Sequence, residues 1–202
     1  GKLKYITGDI LMLNTQEKYT KIVMADVYEH IEPEIMEKLL QKIGQLLAEN
    51  GVIYIHTAPN LDYYEKVYAK QVKEAYRRGE FLPANPRSRY EDRMHINEQS
   101  PGTLKSALER YFTDVYVWSG IIHTKEELTD LTKQNVAIDI TAVAGENLKQ
   151  ETVFKMASYG RLDTSGLRVS LHTEIKSICG DGRNEAVIPV QIHNTGSKEL
   201  RS

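Results

Sequence analysis

Short apolar runs rich in β-branched and aromatic residues occupy positions 3–9, 21–27, 51–60, 113–120 and 135–145, and each is expected to form a strand. Between the second and third runs the period changes. Ile35, Met36, Leu39, Leu40, Ile43, Leu46 and Leu47 recur at helical spacing and make one apolar stripe. Pro33 suits the first helical turn, where its missing N–H costs nothing. Gly51, with Asn50 before it, suits a left-handed helix exit. Strand, helix and strand in succession predict a βαβ unit, hence a parallel pair with a right-handed crossover. A further helix is expected from Ser100-Pro101, a cap followed by proline, with Leu104, Leu108 and Phe112 on its apolar face. Only "IIHTKEELTDLTKQ", a short helix or loop, separates the runs at 113–120 and 135–145. That is too little for a full crossover, so these two strands are expected to pair antiparallel.

The rest of the pattern is less regular. Residues 61–81 read as a helix rich in tyrosine and charge, an exposed lid or excursion. Tyr63, Tyr64, Tyr68 and Tyr76 form its stripe, for packing or for covering a substrate. Residues 82–99 form a long irregular stretch, and long ordered loops are usually functional. Composition shifts at about residue 145. The expected division is a first domain over 1–145, a linker over 146–165 and the start of a β-rich module over 166–202. Gly180-Asp181-Gly182 would turn between two strands of that module, and Asn194-Thr195-Gly196 marks another turn.

Composition narrows the partners. The chain of 202 residues is 41% hydrophobic and 27% charged, an ordinary globular balance. A formal net charge of -2 implies neither nucleic acid nor an anionic membrane surface as partner. The single cysteine, Cys179, excludes an internal disulfide framework and reads as a small buried residue. It fits a reducing, cytoplasmic compartment. No apolar run approaches the roughly 20 residues that span a bilayer. The start, "GKLKYITGD", has no signal pattern and no initiator Met, and it begins at the edge of a strand, so an internal fragment is expected.

Chemistry is expected at the carboxyl ends of the parallel strands, where open α/β sheets bind ligands. Three such ends are Gly8-Asp9, Ala25-Asp26 through His30, and Thr57 to Asn60. A carboxylate there can accept from an adenine amino group or a ribose hydroxyl, and a neighbouring histidine can act as a general base. Plainer roles compete. Asp9 suits an ordinary turn, Asp26 a loop cap, and Glu29 and His30 the start of a helix. His95 and Asn97 in the long loop would bind substrate or pin the loop to the sheet. Asp26, His30 and His95 are ligand types for a divalent metal, but their spacing fits no recognised site, so no metal is expected.

Three stretches, "YITGDI", "KIVMADVYEHIEPEIMEKLLQKIGQLLAENGVIYIHTAPN" and "MHINEQSPGTLKSALERYFTDVYVW", together resemble the latter part of a class I S-adenosylmethionine-dependent methyltransferase. The resemblance covers residues 3 to about 144 and lies in the order and spacing of the motifs. It implies an α/β fold with a Rossmann-like sheet, here strands 3 to 7 of seven, mostly parallel with the last antiparallel. It implies S-adenosyl-L-methionine as cofactor, with Asp9 and Ile10 at the adenine and Asp26 and Val27 beside the methionine portion. Glu29 and His30 would line the substrate side, His30 as base, and Tyr28, His95 and Asn97 would contact the acceptor. The acceptor would be a hydroxyl on a sugar, glycan or other small molecule. The chain departs from the family pattern in lacking the glycine-rich loop and the acidic ribose-binding residue that precede these motifs, so weak or no cofactor binding is expected of the fragment itself. Thr20 also stands where the family usually has Asp. The tail "AVIPVQIHNTGSKELRS" resembles the start of an immunoglobulin-like β-sandwich of the kind appended to methyltransferases of surface-polysaccharide clusters. The rival function is a non-catalytic platform whose β-module binds a glycan or a partner protein.

Overall fold

The computed structural model describes residues 7–158 and the backbone of two further strands, Leu167–Leu171 and Val190–Asn194. The chain divides into two compact units, Gly1–Ser158 and Tyr159–Ser202.

The first unit is built on a four-stranded sheet. Its strands are β1 (Tyr19–Ala25), β2 (Leu47–Thr57), β3 (Asp114–Ser119) and β4 (Ile140–Gly145), in the order β1-β2-β4-β3. β1 and β2 are parallel, joined by helix α1 (Pro33–Leu46), so the expected βαβ unit is present. β4 runs antiparallel to both β2 and β3, as the short 113–145 connection required. Side chains alternate along β2. Ile53 and Ile55 face one layer with Leu40, Ile43, Leu104 and Leu108, while Val52 and Tyr54 face a second layer with Val153, Ala157 and Leu128. The first layer holds α1 and α4 (Pro101–Leu108). The second holds α5 (Lys125–Thr129) and α6 (Gln150–Ala157). Ser100 accepts from the Thr103 backbone N–H and Thr103 reaches back, so α4 starts in a complete capping box.

Several expectations change. The helix does not run to Gly51 but ends at Leu46, and Leu47 already pairs with Tyr19. Asn50 does take a left-handed conformation, φ 57°, but inside β2. There the register slips between Tyr19↔Leu47 and Lys21↔Val52, so Asn50-Gly51 marks a bulge. Strand pairing has overridden the helical reading of 47–50. At the start, Thr7, Gly8 and Asp9 are not in a strand. Asp9 caps a single 3-10 turn, Ile10–Met12, its carboxylate accepting from the Leu11 N–H at 2.9 Å. Residues 3–6 of that expected strand lie outside the described residues. The 61–81 excursion is helical as expected, a π-helical turn over Tyr63–Tyr68 running into α2 (Ala69–Arg77). The loop that follows carries the one-turn helix α3 (Glu91–Met94). The span expected as linker carries α6, whose Val153 and Ala157 are buried. In the second unit, β5 (Leu167–Leu171) and β6 (Val190–Asn194) form an antiparallel pair. The glycine turn at 180–182, the turn at 194–196 beyond Asn194, and Cys179 lie outside the described residues.

Gly145 packs directly on the bulge. A Cβ there would meet the Gly51 carbonyl oxygen at 2.5 Å, and backbone cannot swing aside as a flexible side chain can. Gly145→Ala is therefore expected to destabilise the unit by about 1–3 kcal/mol. Chemical denaturation checks this, and an unchanged midpoint would contradict the close approach.

Candidate active site

The carboxyl ends of β1 and β2 carry two polar clusters, one on each face of the sheet. The division follows from the two-residue period of β2: His56 points to the α6 face and Thr57 to the α1 face.

On the α1 face, the chain leaves β1 and makes a 3-10 turn, Tyr28–His30. Glu29 turns inward and is 2% exposed. Such a buried carboxylate needs a donor, and Thr57 Oγ1 supplies it, donating to Oε2 at 2.6 Å. The Glu29 carbonyl also accepts the Asn97 backbone N–H at 3.0 Å, which ties the long loop to the sheet. His30 points outward, its side chain 35% exposed. Its Nδ1 lies 3.0 Å from the Met94 carbonyl oxygen. A carbonyl only accepts, so Nδ1 carries the hydrogen, and in the neutral ring Nε2 is left with its lone pair free. Glu29 Oε1 stands 3.8 Å from that nitrogen. The His95 ring packs beside His30 at 4.9 Å between centroids. His95 Nδ1 sits 3.5 Å from Glu98 Oε1, short of a formed hydrogen bond. Glu98 is paired with Arg87, whose guanidinium lies 4.1 Å over the Tyr64 ring. Burial pushes the Tyr64 phenol above its ordinary range, with Arg87 opposing. Tyr68 donates to the Pro83 carbonyl at 2.8 Å. Tyr64 and Tyr68 thus fasten the excursion to its own loop, while Tyr76 stays exposed.

On the opposite face, Asp26 takes a left-handed conformation, φ 52°. Its backbone N–H donates to the His56 carbonyl at 3.0 Å, and its Oδ1 accepts from His56 Nδ1 at 2.8 Å. The other ring nitrogen, Nε2, is 3.6 Å from Asp139 Oδ2. The imidazole therefore lies between two carboxylates, and the three groups do not converge on a common point. Among the described residues no three histidine, cysteine or acidic side chains gather as a metal would need.

Of the residues singled out in the sequence, the fold brings Glu29, His30, His95 and Asn97 together and sets Asp26 apart from them across the sheet. Asn97 is almost fully buried and accepts from Gln99 Nε2 at 2.8 Å. Tyr28 enters the main core at 3% exposure, where burial holds its phenol neutral with a pKa pushed up to about 12. It also lines a groove of about 680 Å3 between α1 and α4, together with Met36, Leu40, Asn97 and Arg110 but without His30 or Asp26. Ile10, in the 3-10 turn Ile10–Met12, and Val27, two residues after β1, are exposed apolar residues. Sequence reading placed Thr57 to Asn60 at a ligand end of the sheet without assigning either a polar partner, and it did not single out His56 or Asp139. Asn60 is fully buried, donates to Ser119 Oγ at 3.2 Å and to the Ala137 carbonyl at 2.9 Å, and so locks the end of β2 to its neighbours. The available signal was an ionisable residue, His56, at the ligand end of a strand. No helix among the described residues is long and apolar enough to cross a membrane.

The sequence of residues 9–113, more than half of the chain, matches the methyltransferase domain family. A comparison with curated proteins gave no match. Among solved structures, the chain is similar to a SAM-dependent methyltransferase from Archaeoglobus fulgidus, at 18% identity and a TM-score of 0.43 over 69% of this chain and 66% of that one. It is similar to human N-acetylserotonin methyltransferase in complex with SAM, at 14% identity and a TM-score of 0.42 over 70% of this chain and 33% of that one. A third similarity is to PKMT2 from Rickettsia typhi, at 13% identity and a TM-score of 0.41 over 69% of this chain and 38% of that one. The chain thus spans between a third and two thirds of the length of these three structures. The match over more than half of its residues shows that the chain belongs to the methyltransferase domain family.

Proposed function

We propose that the protein transfers a methyl group from S-adenosylmethionine to a hydroxyl of a sugar or another small molecule. The observation that supports this most is the disposition at the ends of β1 and β2. An open carboxylate, Asp26, stands on one face, and an outward imidazole, His30, stands on the other with Nε2 free.

The donor set suits the cofactor's chemistry. Asp9 keeps one carboxylate oxygen beyond its turn bond for a polar edge such as an adenine amino group, and the neighbouring Ile10 and, after β1, Val27 are exposed apolar side chains. Asp26, its side chain 64% exposed, suits the cationic methionine portion. When bound, the cofactor supplies a methyl group already activated on a sulfonium. The chain's own work is then to hold the acceptor in line and take its proton. In this reading His30 Nε2 takes the proton while Nδ1–H stays fixed on the Met94 carbonyl. The buried Glu29 carboxylate stands 3.8 Å from Nε2. His95 and the Arg87–Glu98 pair shape the acceptor side.

Calorimetry of the full-length protein with S-adenosylmethionine tests the reading. Binding in the micromolar to low-millimolar range is expected, followed by methyl transfer to hydroxyl acceptors in a panel of sugars and phenols. No binding at millimolar cofactor would sink it and leave the platform role.

A further inference from the structure

Asp26 sits at positive φ at the carboxyl end of β1, a conformation that costs a side-chain-bearing residue about 1 kcal/mol unless its surroundings impose it. Two bonds impose it, and both come from His56. One is the backbone bond from Asp26 N–H to the His56 carbonyl, and the other is the side-chain bond from His56 Nδ1 to Asp26 Oδ1. A carboxylate only accepts, so Nδ1 carries the hydrogen. The side-chain bond occupies one oxygen of Asp26 and leaves Oδ2 free. The ring's other nitrogen, Nε2, lies 3.6 Å from Asp139 Oδ2, beyond hydrogen-bond distance. The result is a carboxylate fixed in direction yet still mostly exposed. A free aspartate rotamer would not have that property, because water would compete for both oxygens and the side chain would turn.

We propose that His56 is a positioning residue that holds the Asp26 carboxylate toward the cationic methionine portion of the bound cofactor. This rests on the proposed cofactor role of Asp26. The Asp26–His56 contact is half exposed, so its effect on affinity is moderate: losing it is expected to weaken S-adenosylmethionine binding about fivefold.

Four variants and the wild type, measured by calorimetry with S-adenosylmethionine on the full-length protein, test the role. His56→Ala is expected to bind about fivefold more weakly. His56→Asn, whose amide N–H stands near the place of Nδ1–H, is expected to restore binding to within about twofold. Asp26→Asn keeps the turn, because asparagine tolerates the left-handed conformation, and removes the charge. In that background a further His56→Ala change is expected to do nothing more, since the two residues act as one unit. Three results overturn the proposal: wild-type affinity in His56→Ala, no rescue by asparagine, or losses that add in the double variant. Additive losses would mark His56 as merely structural. If the wild type itself fails to bind, the cofactor reading falls and this one falls with it, whereas binding with additive losses removes only His56.

Discussion

Alanine at His30 is expected to lower turnover by about a hundredfold or more, while cofactor affinity stays within about threefold of wild type. The first half follows from the fixed tautomer. The Met94 carbonyl holds the hydrogen on Nδ1, so the unprotonated ring presents Nε2 ready to accept the acceptor's proton. The second half follows from position. His30 stands on the α1 face, and Asp26 is bonded to His56 on the other. Steady-state kinetics with a hydroxyl acceptor and calorimetry with the cofactor separate the two. Unchanged turnover would remove His30 from the mechanism and leave positioning alone as the source of rate.

The largest expected effect on stability is at Leu40. Leu40→Ala should cost about 2–5 kcal/mol, the range for emptying a buried leucine site. Leu40 is fully buried in the layer between α1, α4 and the sheet, among Met36, Ile43, Ile53 and Leu104. These neighbours belong to helices and strands already bonded along their backbones, so they cannot collapse far into the void. Urea denaturation followed by circular dichroism gives the value, and a loss below about 1 kcal/mol would mean that the layer relaxes. The same helix begins three residues after the turn that carries Glu29 and His30, so a marginal α1 would also loosen the site.

The sequence pattern made the main elements legible because they rest on local periodicity. The α1 stripe, the capping box at Ser100 and the βαβ order needed no knowledge of distant residues. The short 113–145 connection was enough to make β4 antiparallel to β3. Where the reading slipped, a long-range contact had the last word. Residues 47–50 carry helical signals, but pairing of Leu47 with Tyr19 draws them into β2. The 146–165 span reads as polar linker, yet Val153 and Ala157 find a partner layer on the sheet and a helix forms there.

The candidate site divides in the same way. The stretch "KIVMADVYEHIEPE" alone determined that acidic, phenolic and imidazole groups crowd the end of a strand next to a helix start, since that depends only on the apolar run stopping and Pro33 following. Which of those groups face outward is a tertiary matter. Tyr28 and Glu29 are carried inward by the 3-10 turn, Glu29 finding its donor on Thr57, and His30 is left outside. His56, far from Asp26 in sequence, meets it, and Asp139 meets His56 in turn, only because β1, β2 and β4 lie side by side in the sheet. Local sequence fixes periods, caps and turns within a few residues. Partners for a buried or strained polar group come from whichever strand the sheet places next to it, and only the folded chain decides that.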